Sequence, residues 1–146
     1  MTTAQNLIYS KSAAARLLNL DYFLIKDLEV WNKVVLVKIH DRKAKFVSKK
    51  EFCQHFANWR RSRSRTLETT PHLYNKESFT VYNPYKETRY QVTVRPQELI
   101  CDCDDWANQK ELLGKACCKH CYSVLNHLNY SSLKEYIEKS KELVTA

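Results

Sequence analysis

The chain has little glycine and little proline: one Gly and three Pro in 146 residues. That scarcity excludes long flexible linkers and the biased composition of disordered or fibrous chains. Long apolar runs are also missing. No stretch approaches the ~20 apolar residues that a membrane helix needs, so no membrane partner is expected. The N-terminus lacks the apolar segment of a secretory signal, so nothing points to an oxidising compartment. "MTTAQNLIYSKSAAARLLNL" has no acid before Asp21, a pattern open both to an organelle transit peptide and to an ordinary first helix. The expected setting is intracellular and reducing: cytoplasm, nucleoid or nucleus. Apolar residues make up 44% of the chain, enough for one ordinary domain or two small ones.

Acids are scarce in one half only. Met1 to Lys76 carries 15 Lys/Arg against 6 Asp/Glu, whereas Glu77 to Ala146 carries 9 against 10. Most of the excess falls on Arg42, Lys43, Lys45, Lys49, Lys50, Arg60, Arg61, Arg63 and Arg65, opposed in that span only by Glu51. Such a stripe is either a solvated surface or a binding face for a polyanion, of which nucleic acid is the commonest.

Local patterns divide the chain at about residue 66. Ser10 or Ser12 can cap "AAARLLNL", and Asn19 tolerates the left-handed conformation that closes a helix. In "DYFLIKDLEVW", Leu24, Leu28 and Trp31 recur at helical spacing and predict a second helix. "KVVLVKIH" and "AKFVS" read as a hairpin around "DRK". Ser48 then caps a helix with Phe52, Phe56 and Trp59 on its inner stripe, and Cys53 reads as a core residue. This order resembles the winged helix-turn-helix of excisionase- and MerR-type domains over about residues 10–65, with Arg42, Lys43 and Lys45 as the wing. "RRSRSRTLETTPH" loses the apolar period and reads as a linker, centred on 67–77. Beyond it, "SFTVYNP" and "TRYQVTV" form a hairpin, and "ELIC" continues as a third strand. Cys121, Val124, Leu125 and Leu128 share a helical face. Ser132 with Glu135 is a capping box opening a last helix, packed through Leu133, Tyr136, Ile137 and Leu143.

Five of the six cysteines crowd into residues 101–121. In a reducing compartment such a cluster points to metal before disulfides. Cys101 and Cys103, two apart in an extended segment, turn to one face. Cys118 and His120 have the same spacing but precede a helix, where it corresponds to about 200° of rotation. They converge only if Cys118 lies in the turn before that helix and His120 in its first turn. Cys117, His120 and Cys121 are a rival set if the helix starts earlier. Three thiolates and an imidazole suit one closed, tetrahedral, structural Zn2+ with no open position for hydrolysis. A redox dithiol or a Cys–His nucleophile explains one pair at a time, never both, so no enzymatic activity and no small-molecule substrate are expected. His40, His55, His72 and His127 lack ligand spacing. Asp102, Asp104 and Asp105 lack the calcium-loop pattern and read as caps of a turn.

Cys101-x-Cys103, fourteen intervening residues, then Cys118-x-His120 resembles the C-x-C…C-x-H signature of SWIM zinc fingers. "YQVTV" precedes the first pair, Trp106 follows it, and "CKH" opens an apolar helix. The likeness covers about residues 78–129 and implies a β-hairpin and helix around zinc, binding DNA or a protein partner. The expected fold is α+β: a basic winged-helix-like unit over 1–66, a linker over 67–77, and the finger with an extra helix over 78–146. The expected function is non-catalytic nucleic-acid binding, DNA foremost, with a protein–protein adaptor as the alternative.

Overall fold

In the computed structural model, which describes residues 3–145 and side chains as far as Glu142, the chain is α+β with two antiparallel sheets. It divides into two units between Trp59 and Arg60.

The first unit opens with α1 (Ala4–Ile8) and α2 (Lys11–Leu18). Ser10 Oγ accepts from the Ala13 amide at 3.1 Å and Asn19 closes α2 at φ 55°, as the sequence predicts. Ala13, Ala14 and Ala15 are buried, small enough for the helix to lie close on the sheet. That sheet runs β1 (Ile25–Val30), β2 (Val34–Ile39) and β3 (Lys45–Ser48), in that order. Val35, Val37, Ile39 and Val47 fill its inner face by strict alternation.

The helix expected over residues 21–31 is absent; a 3-10 turn, Tyr22–Leu24, leads into β1 instead. The register slips between Ile25 and Asp27, and this bulge adds one residue between the inward-facing Ile25 and Leu28. It thereby breaks the two-residue alternation that would have marked a strand. The helical pair behind the winged-helix likeness is therefore missing. The hairpin β2–β3 and its turn are as expected.

Helix α3 (Lys49–Ser64) begins in the first unit. Ser48 Oγ accepts from the Glu51 amide at 3.1 Å while the Glu51 carboxylate reaches back to the Ser48 amide at 3.3 Å. Phe52 is fully buried, and Phe56 and Trp59 are half-buried. Cys53 is exposed, a correction to its reading as core, because it follows Phe52 by 100° around the helix.

The second unit holds a four-stranded sheet, β4 (Glu68–Pro71), β5 (Ser78–Asn83), β6 (Thr88–Arg95) and β7 (Glu98–Cys101), neighbours in that order. The linker is corrected in part: α3 runs on to Ser64, and Glu68–Pro71 pairs with β5. Thr69 and Thr70 are β-branched, and Pro71 is tolerated because β4 is an edge strand. Helix α4 (Asp104–Leu113) was not expected; α5 (Lys119–His127) and α6 (Leu133–Thr145) were. Phe79, Val81, Val92, Leu99, Val124 and Leu125 form the core, and the clustered cysteines belong to the same buried mass. Ser132 Oγ accepts from the Glu135 amide at 3.1 Å, and the Tyr136 hydroxyl donates to the Arg95 carbonyl, tying α6 to β6. The expected packing of Leu143 lies outside the described side chains. No helix among the described residues is long and apolar enough to cross a membrane.

Candidate metal centre

Two chain reversals build the centre. Cys101 ends β7 opposite Val92, and the backbone stays extended through Cys103 (φ −85°, ψ 161°). Both sulfurs thus fall on one side. Cys103 is also the N-cap of α4, its Sγ accepting from the Trp106 amide at 3.4 Å. The Trp106 indole donates to the Leu99 carbonyl at 2.8 Å and pins α4 to β7. Gly114, at φ 79°, closes α4 in the left-handed region that a side chain disfavours. Cys118 is the N-cap of α5, extended at φ −84° and ψ 175°, and His120 lies in the first turn. The helix therefore begins where convergence requires.

Cys101, Cys103, Cys118 and His120 are all buried, and one ligand atom from each lies within 4.8 Å of all the others. His120 Nδ1 stands 3.7 Å from both Cys101 Sγ and Cys118 Sγ. Bonds of about 2.3 Å to sulfur and 2.0 Å to nitrogen around a tetrahedral ion imply sulfur–nitrogen separations of roughly 3.5 Å. The four groups fit one metal ion, which would sit inside the core. Cys117 is buried but is not in this set.

The cluster's own electrostatics favour a cation. Cys101 is pushed far above the usual thiol range, first by sharing its proton with Cys103 and Cys118, then by burial. Hydrogen bonds from Cys101 and Cys103 bring Cys118 down to about 7. Burial opposes charge on His120, but its hydrogen bonds to Cys103 and Cys118 outweigh that and raise it to about 9. Three buried thiolates without a counter-ion would be very costly. Among the described residues, His120 Nε2 is buried with no hydrogen-bond partner, the ring lying 4.5 Å from that of Tyr90. Facing Nδ1 inward thus leaves this second nitrogen with aromatic rather than polar company.

A relay of side chains that sequence reasoning missed holds the second ligand pair. Arg60 meets Asp105 through two hydrogen bonds of 2.9 Å. Asp105 accepts from Gln109 Nε2 at 3.0 Å. Gln109, 3% exposed, then brackets Cys117: its Oε1 accepts from the Cys117 amide at 2.9 Å and its Nε2 donates to the Cys117 carbonyl at 3.4 Å. The residue before Cys118 is thereby fixed from α4. The signals were the acids Asp104 and Asp105 before "NQKELL" and the chain's single glycine after it, together a helix with marked ends.

The basic residues predicted to bind nucleic acid are split between the units. Arg42 and Lys43 are exposed after β2, Lys45 is exposed at the start of β3, and Lys50 is exposed on α3. Lys49 lies 5.6 Å from the Tyr9 ring centroid. In the second unit Arg60 is committed to Asp105, its side chain 17% exposed. Arg61 lies over the Tyr122 ring at 5.3 Å. Arg63 and Arg65 are exposed. Lys119 joins this side of the molecule: burial, then repulsion from Lys86 and Arg63, lowers its pKa. No family model, no curated protein and no solved structure matches the chain.

Proposed function

We propose that the protein is a zinc-dependent, non-catalytic nucleic-acid-binding protein whose second unit is a finger of the SWIM type, with DNA as its partner. The observation that carries the metal half of this reading is the convergence of Cys101, Cys103, Cys118 and His120 inside a hydrophobic core. Bound zinc supplies a structural crosslink and, with four protein ligands, no open coordination position. Cys101 ends a strand, Cys103 caps the helix that follows it, and Cys118 and His120 form the start of the next helix. Ion binding thus joins sheet to helix and contributes directly to folding.

The excess of cations supports the nucleic-acid half. In the second unit Arg63, Arg65, Lys86 and Lys119 are the contacts to phosphate, while Arg60 serves Asp105. In the first unit Arg42, Lys43, Lys45 and Lys50 are available to the same ligand. Neutralising four phosphates gives a slope of roughly −3.6 for log K against log salt on duplex DNA. The test is fluorescence anisotropy of labelled DNA across a salt series with the zinc-loaded protein. A flat response, or no binding at low salt, rejects the nucleic-acid reading.

One observation favours the adaptor reading. On the outer face of the first sheet Trp31 is 45% exposed and Phe46 57%, their ring centroids 5.0 Å apart. Charge reversal at Arg63 and Lys119 that leaves DNA binding intact would move the balance toward a protein partner.

A further inference from the structure

One buried sulfur beside the metal centre lies outside the four-ligand set. Cys121 is fully buried and lies outside the four-ligand set, yet its Sγ stands 3.7 Å from Cys118 Sγ. Its other neighbours are the Leu99 carbonyl, at 3.9 Å, and the Cys117 thiol. Cys118-Lys119-His120-Cys121 is a C-x-x-C sequence at a helix N-terminus, the arrangement that in reducing compartments carries dithiol chemistry. We propose that Cys118 and Cys121 are an oxidisable pair whose disulfide withdraws Cys118 from the cluster and releases the metal. This inference rests on the zinc reading for its consequence but not for the bond itself.

The two sulfurs already lie in contact at the start of one helix. Closing 3.7 Å to the ~2.05 Å of a disulfide is a movement within one helical turn. Cys101 and Cys103 are two apart in extended backbone, so their Cα atoms are about 6.6 Å apart, at the limit that a disulfide spans. Cys117 and Cys118 are adjacent, and a bond between them would strain the peptide joining them. Cys118 is also shared: it contacts His120 Nδ1 on one side and Cys121 on the other. Losing it leaves three ligands, and a closed site becomes an incomplete one.

The oxidant is a low-molecular-weight disulfide, RSSR. The Cys118 thiolate attacks one of its sulfurs, the S–S bond breaks, and RS− leaves and takes a proton. The Cys121 thiolate then attacks the Cys118 sulfur of the mixed disulfide and expels the second RS−, which is protonated in turn. Two cysteine thiols are oxidised, one RSSR becomes two RSH, and the metal ion departs with its charge unchanged.

The test uses the full chain with Cys53→Ser, which removes the exposed thiol, loaded with zinc and treated with oxidised glutathione. Zinc release is followed with a metallochromic dye and the products by non-reducing peptide mass spectrometry. The expected product is one intramolecular disulfide joining the peptide of Cys118 to that of Cys121, formed in step with zinc loss and reversed by dithiothreitol. The same product must form when Cys117→Ser is added. Cys121→Ser should bind zinc as before and stop at the mixed disulfide between Cys118 and glutathione, with no intramolecular bond. A disulfide between other cysteines, no oxidation, or an intramolecular disulfide that still forms in Cys121→Ser overturns the proposal. If the chain holds no zinc, the mapped bond still decides the pair while the metal reading fails separately.

Discussion

Replacing Gln109 by Ala removes the bracket around Cys117 without touching a ligand. Three contacts vanish: Oε1 to the Cys117 amide at 2.9 Å, Nε2 to its carbonyl at 3.4 Å, and Nε2 to Asp105 at 3.0 Å. Asp105 keeps Arg60, so the main cost is a buried amide left without an acceptor, about 1–3 kcal/mol. The carbonyl contact is long and adds little. A tenfold change in an equilibrium constant is about 1.4 kcal/mol, so metal affinity should fall about 10- to 100-fold, the range typical of outer-shell partners. Gln109→Glu separates the contributions. It keeps an acceptor for the Cys117 amide but sets a carboxylate against Asp105, and should cost less than Ala at the metal and more in thermal stability. The assay is zinc competition against a chromophoric chelator at fixed pH, paired with thermal unfolding of metal-free and loaded protein. A Gln109→Ala protein with unchanged zinc affinity and unchanged unfolding would show that the turn before Cys118 holds itself, and the reasoning from the relay would fail.

Cys118→Ala should abolish stoichiometric zinc binding while Cys117→Ala retains it; equal metal content in the two, by atomic absorption, would overturn the ligand assignment. Arg60→Ala should destabilise the second unit by about 1–3 kcal/mol through loss of a two-pronged, largely buried carboxylate contact, whereas replacing exposed Arg65 by Ala should leave stability unchanged in chemical denaturation. Chelation should loosen the second unit and spare the first, read as hydrogen exchange rising in α5 and not in β2. Glu135 is held below its usual carboxylate range by hydrogen bonds from the Ser131 hydroxyl and amide. A lowered folded pKa means its contribution is present above the unfolded value and lost as pH falls through the folded one. The start of α6 should therefore fray by NMR as the pH falls below the usual carboxylate range, and Glu135→Gln should remove that dependence.

What could be read from residues alone follows the range of the interaction involved. Caps and periodicity are local, so Ser10, Asn19, Ser48 and Ser132 marked their helices, and Cys118 was placed before α5 because the ligands had to converge. β1 escaped because a bulge breaks its two-residue alternation, and β4 because its pairing with β5 is a contact between segments, invisible in "LETTP". Arg60 was read as a surface charge for the same reason: its partner, Asp105, lies forty-five residues away. The four candidate ligands were legible because metal chemistry restricts both residue type and spacing. The side chains that aim them were not, since a buried glutamine obeys no spacing rule.

The fourteen residues between the two ligand pairs are for the most part a capped helix, ten of them in α4. A floppy tether would tolerate an extra residue almost anywhere; this spacer acts as a ruler. One residue inserted within α4 swings everything after it by about 100° and advances it by about 1.5 Å, carrying Gln109 away from its target. One residue added at exposed Lys115 changes neither. Length variation among any chains built on this plan should therefore gather after Gly114, or come in whole helical turns.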